Sequence, residues 1–161
     1  MKYLALIFLF FSMLSCTQES KKVQELQTRI DQLENKVSES YKPGFGEMMS
    51  SIQAHHSKLW FAGKNNNWEL AAFEVKELHE IISDIKTFQK DRAETAEMAI
   101  INPSLKVIEK AITQKKIADF NTGFQQLTND CNKCHQLTDF GYNKVKIPKN
   151  SPFSNQEFSV E

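Results

Sequence analysis

Near the start of the chain, apolar residues recur at spacings of three and four: Val23, Leu26, Ile30, Leu33 and Val37. This is an a/d seam of little more than two heptads, with Val and Ile at a and Leu at d, a choice that favours parallel pairs. Arg29 falls at g and Glu34 at the next e, so the two can pair between strands. Sustained coiled coils usually run for three or four heptads. The segment is therefore read first as a helical stalk and second as the seam of a homodimer. Tyr41-Lys42-Pro43-Gly44-Phe45-Gly46 then breaks the period, because proline and glycine crowded together mark a hinge. The domain boundary is placed there.

Four helical segments follow. The first runs from about Phe45 to Ala62, with Phe45, Met49, Ile52, His56 and Leu59 as its apolar stripe and Gly63 as a C′ stop. After a turn, Asn67 offers an N-cap to the second, whose stripe is Trp68, Ala71, Val75, Leu78, Ile82 and Ile85. That helix continues to about Lys90, and Asp91 to Ala99 either extends it or forms a connecting turn. Asn102-Pro103 opens the third with a cap and an N1 proline, and Ile101, Leu105, Ile108 and Ile112 form its stripe. The fourth follows a break near Gln114-Lys115-Lys116 and shows Ile117, Phe120, Phe124, Leu127, Cys131 and Cys134 on one face. No segment alternates with period two for long enough to make a sheet. Short connections between amphipathic helices imply an all-α fold, an antiparallel up-down-up-down four-helix bundle carrying the N-terminal stalk. The tail, Gln136 to Glu161, has few helix signals. Its apolar side chains, Phe140, Tyr142, Val145, Ile147, Phe153 and Phe158, are too many for a free linker, so it is expected to fold back over the bundle.

Composition adds little. Lys plus Arg equals Asp plus Glu at 20 each in 161 residues, so no charge field suggests a nucleic-acid partner. The N-terminus says more. Lys2 precedes an apolar run, Leu4 to Leu14, too short to span a bilayer as a stable helix. Met13-Leu14-Ser15-Cys16 has the form of a bacterial lipobox, in which the cysteine is lipidated and becomes the new N-terminus; an ordinary secretory signal is the alternative. The expected organisation is a signal peptide over 1–15, a lipid-anchored stalk and hinge over 16–42, and the bundle with its tail over 43–161. The protein is expected to be exported, anchored to a bacterial membrane and facing the periplasm.

Cys131-Asn132-Lys133-Cys134-His135 is a C-x-x-C-H, the sequence to which a c-type haem is joined. Positions i, i+3 and i+4 share one helix face, so both thiols and the imidazole can address one flat ligand. The thiols hold the porphyrin and His135 becomes the axial ligand of the iron. A zinc site would want four ligands, and the chain has three cysteines, of which Cys16 has another use. A redox dithiol would sit near a βαβ pattern, whereas the surroundings are helical. The expected cofactor is one covalent haem c.

With a C-x-x-C-H near the end of its fourth helix, the exported bundle resembles the cytochrome c′ family. Gly46-Glu47-Met48-Met49, His56 to Gly63 and Asn67 to Ala71 look like a lipoprotein or periplasmic branch of such cytochromes. The likeness covers roughly Gly44 to Phe158 and is specific at the haem motif; about two dozen residues follow His135, where family members usually stop sooner. In an antiparallel bundle the start of the first helix lies level with the end of the fourth. Met49 is therefore the favoured distal ligand, Met48 the next, and His56 lies about 10 Å further along. A thioether opposite histidine gives an iron suited to passing electrons, so an electron carrier with an unidentified redox partner is expected, not an enzyme. If Met49 only packs, the resemblance implies a five-coordinate iron open to nitric oxide or carbon monoxide. A haemless anchored coiled-coil interaction module is the third alternative. Lys144, Lys146 and Lys149 could meet haem propionates or an acidic partner, and His79 has no assigned role.

Overall fold

A computed structural model of the chain describes residues 21–37, 39–40 and 43–160. The signal sequence, Cys16 and the hinge residues Tyr41 and Lys42 lie outside the described residues. The chain divides into two units, Met1–Lys42 and Pro43–Glu161. In the first, residues 21–37 and 39–40 are helical and exposed throughout. Among the described residues no helix is long and apolar enough to cross a membrane.

In the second unit the order is α1 (Phe45–Lys64), α2 (Trp68–Phe88), α3 (Ala93–Glu97), a 3-10 turn (Met98–Ile101), α4 (Asn102–Thr113) and α5 (Ile117–Leu137). Among the described residues the regular structure is all helical, with no strand. Helix α1 packs on α2 and α5, α4 packs on α5 and α2, and the 3-10 turn lies against α5. The stripes meet in a core holding Leu59, Leu78, Ile85, Leu105, Ile108, Phe120 and Phe124. Aromatic rings fill its centre: Trp60 lies 4.9 Å from Phe124, and Trp68 meets the edge of Phe120 at 6.1 Å. Such ring pairs add directional contacts to the burial of apolar area.

Three local expectations change. Gly63 does not stop α1; the helix runs through it to Lys64, and the left-handed residue is Asn66 at φ 57°. Gly63 is needed for space, since a Cβ there would fall inside the Phe120 ring. Asn102 does not cap α4 either. The 3-10 turn runs straight into the helix and leaves Ile101 in the helical region, where no extended residue precedes the helix to fold back on it. On α1 the stripe is rotated by one position at its start: Met48 is buried at 5 %, while Met49 is half-buried. Elsewhere the turn chemistry follows the sequence. Asn67 accepts from the Leu70 amide at 3.2 Å and Lys115, at φ 53°, ends α4.

The tail packs back on the helices without regular structure. Phe158 is buried against Phe61, with ring centroids 5.6 Å apart, and Ile147 and Phe153 also reach the core. Gly63→Ala should cost about 1–3 kcal/mol, because Phe120 is fully buried and has no free direction in which to yield. Urea unfolding of the variant measures this, and a loss within experimental error would mean the ring relocates freely.

Candidate functional site

The buried face of α5 passes through Phe120, Phe124 and Leu127 at helical steps and continues to Cys131 and Cys134. Both sulfurs therefore emerge where the core opens into a cavity of about 270 Å³. Helix α1 contributes Phe45, Met49, Ile52 and His56 to its wall, the α3 region Glu94, Met98 and Ile101, and α5 Cys131, Cys134 and His135. Phe140, Asn143, Lys144 and Val145 close it from the tail. Of the residues singled out from sequence, Cys131, Cys134, His135, Met49 and His56 come together here. Met48 faces the core instead.

The tail is fastened to the motif itself. Asn132 Nδ2 donates to the Val145 carbonyl at 2.9 Å, and the Val145 amide donates to Asn132 Oδ1 at 2.8 Å. The same Nδ2 also reaches the Thr128 carbonyl at 3.0 Å. One turn along, His135 Nδ1 lies 2.6 Å from the Asn143 carbonyl. A carbonyl only accepts, so Nδ1 carries a proton, which in the neutral ring leaves the lone pair on Nε2. Asn132 thus holds in place the segment whose carbonyl orients His135.

Charge is scarce in the cavity. Cys131 and Cys134 are free thiols. Burial pushes the Cys131 thiol up to about 12, with Cys134 and Asp130 adding to the effect. Cys134 is also raised, by burial first and then by Glu97 and Glu94. Reactive dithiols depend on a lowered thiol pKa, which is the opposite arrangement. Burial pulls the His56 imidazole down to about 4, so it is neutral at pH 7. The Thr128 hydroxyl donates to the Phe124 carbonyl at 2.9 Å and accepts from His56 Nε2 at 3.0 Å. Glu94, largely buried, is gripped by Arg92 at 2.6 and 3.3 Å, and that hydrogen bonding keeps its carboxyl below the usual range.

Sequence reasoning missed Met98, Glu94 and Asn132. The first two sit in the segment with no helical period, and Asn132 occupies a position the motif leaves open. Of the three lysines considered, Lys144 lines the cavity and Lys149 does not. His79 lies on the surface, 2.6 Å from Glu109. His55 pairs with buried Glu74 at 2.6 Å, and neither lines the cavity. No protein-family model, curated protein or solved structure matches the chain.

Asn132→Ala should free the tail locally while leaving the helices folded. Amide exchange at Val145 should quicken by about tenfold or more, the equivalent of about 1–2 kcal/mol for the lost bonds. Unchanged exchange would show that the tail is held elsewhere. His56 gives a pH dependence of definite sign. Its folded value near 4 lies below the unfolded 6.5, so the unfolded chain takes up the proton first as pH falls. The stability contributed by the neutral ring is complete above about pH 6.5 and is lost progressively towards about pH 4. Between pH 7.5 and 4.5, His56→Gln should lose about 2–3 kcal/mol less than the parent chain in urea unfolding.

Proposed function

We propose that the second unit is a mono-haem c-type cytochrome domain that passes electrons, held at a membrane surface by a lipid on Cys16. Cys131 and Cys134 would hold one haem c through thioether links, with His135 Nε2 as axial ligand. When bound, the group supplies a one-electron iron couple. One observation carries the proposal: both thiols and His135 line a single, mainly apolar cavity together with Met49, and His135 Nδ1 is engaged by the Asn143 carbonyl, which leaves Nε2 as the nitrogen for a ligand.

The donor chemistry fits this group better than zinc. Among the described residues no three His, Cys, Asp or Glu side chains are grouped to hold a metal ion, as a tetrahedral site requires. A porphyrin asks the chain for only one or two axial donors. The chain's own residues then have distinct tasks. Asn143 fixes the His135 ring and its tautomer, as outer partners of a ligating histidine do. Phe45, Ile52, Ile101 and Phe140 give the cavity apolar walls. Met49 would provide the distal thioether, and Lys144 a cation at the rim. His56, neutral and hydrogen-bonded to Thr128, acts as wall and not as base.

The helices are proposed to form an antiparallel up-down-up-down bundle of the cytochrome c′ kind. The packing of α1 on α2 and α5, of α4 on α5, and the shared level of Met49 and His135 at one cavity support this arrangement. The exported, periplasm-facing location rests on Lys2, the Leu4 to Leu14 run and the Met13–Cys16 lipobox.

Protein matured through its own export signal should retain a haem band after denaturation, and its reduced low-spin spectrum should not move under carbon monoxide. Met49→Ala should convert it to a high-spin form that shifts with the gas, while Met98→Ala should not. A parent spectrum that already shifts would favour the gas-binding alternative. Denatured protein without a haem band would overturn both.

A further inference from the structure

We infer that the N-terminal helix pairs with its counterpart in a second copy of this chain, residues 23–37 forming a parallel, in-register two-stranded coiled coil. The inference stands on the first unit alone and does not depend on what the second unit binds.

Val23, Leu26, Ile30, Leu33 and Val37 are 62, 50, 47, 60 and 64 % exposed. They fall at a, d, a, d and a, so one helix face is wholly apolar. Positions b, c and f are wholly polar: Gln24, Glu25, Thr28, Asp31, Gln32 and Asn35. β-branched residues at a with leucine at d suit two strands over three or four, and because the seam holds no polar residue the register is left to the flanking charges.

The flanking charges choose the orientation. The g positions are Lys22, Arg29 and Lys36, and the e positions are Gln27 and Glu34. In a parallel pair each g faces the e five residues on in the other strand, which sets Arg29 against Glu34 twice by symmetry and Lys22 against neutral Gln27. An antiparallel pair would set g against g, cation against cation, along its length. Among the described residues no ion pair within the chain engages Arg29, Glu34 or Lys36, so these charges are available for a partner strand. The seam is short, about 21 Å at 1.5 Å per residue. The association is therefore weak between free chains and strengthens wherever two copies share one surface, which raises their effective concentration. A parallel pair also sends both second units off the same end of the rod.

The test uses the full chain exported in bacterial cells, with the parent chain as background for its own cysteines. Val23→Cys sits on the seam near one end, so only a parallel pair brings its two copies together. Gln24→Cys, one residue on, faces outward. Non-reducing electrophoresis should show several-fold more disulfide-linked dimer for Val23→Cys than for Gln24→Cys. Adding Glu34→Lys to Val23→Cys should cut that yield several-fold, and adding Arg29→Glu as well should restore it. Sedimentation of the detergent-solubilised parent should give a concentration-dependent mass approaching two chains. Equal yields at residues 23 and 24, or a yield indifferent to the charge reversal, would overturn the pairing. So would a dimer that persists in sedimentation after Glu34→Lys, since it would be held by the second unit.

Discussion

One face of α5 has to serve two purposes along a single helix. Its first turns must bury Phe120, Phe124 and Leu127, and its last turns must present Cys131, Cys134 and His135 to a cavity. A helix advances about 100° per residue, so sliding the motif by one position would carry both sulfurs off that face. Where the sulfurs point is therefore decided by how the phenylalanines pack. The packing is decided in turn by α1, which comes close enough at Gly63 for the Phe120 ring to lie against its backbone. Further along, His56 bonds to Thr128 and joins the same two helices at the cavity. The close approach of α1 and α5 at Gly63, made possible by a missing methyl group, belongs to the end of the core away from the cavity.

The polar content of the cavity is arranged to leave little net charge. The thiols are kept protonated by burial, His56 is kept neutral, and Glu94 is held by Arg92. Uncompensated charge in such a place would draw in water and counter-ions, whereas neutral walls leave room for a large apolar ligand. Lys144, from the tail, is the cation at its edge.

Much of this was legible in the chain. Amphipathic periods located the long helices to within a few residues, because a helix that buries one face must repeat near 3.6. The spacing of Cys131, Cys134 and His135 put them on one helix face, and they do line one cavity together. Gly63 was seen but given the wrong task, since sequence distinguishes poorly between a glycine needed for its dihedral angles and one needed for its size. Met48 and Met49 were ranked by stripe, and the helix settled about one position round from the expected face. Met98 and Glu94 were not legible at all: a five-residue helix and a 3-10 turn are too short to show a period. Asn132 was hidden for another reason. Its partner, Val145, lies 13 residues away in a segment with no regular structure, and no local pattern encodes that pairing.

The tail is held at two separate places. The fastening at Asn132 closes a loop of only 13 residues, and the loop is tied at its base by hydrogen bonds to Asn132 and His135. The last turns of α5, through Leu137, supply the first part of that loop, so only the stretch after them lacks regular structure and its closure costs little entropy. Phe158, by contrast, is anchored separately on Phe61. The segment beside the motif and the end of the tail are thus held by different groups, amide and imidazole in one place and aromatic rings in the other. Weakening the first set leaves the Phe158 anchor in place.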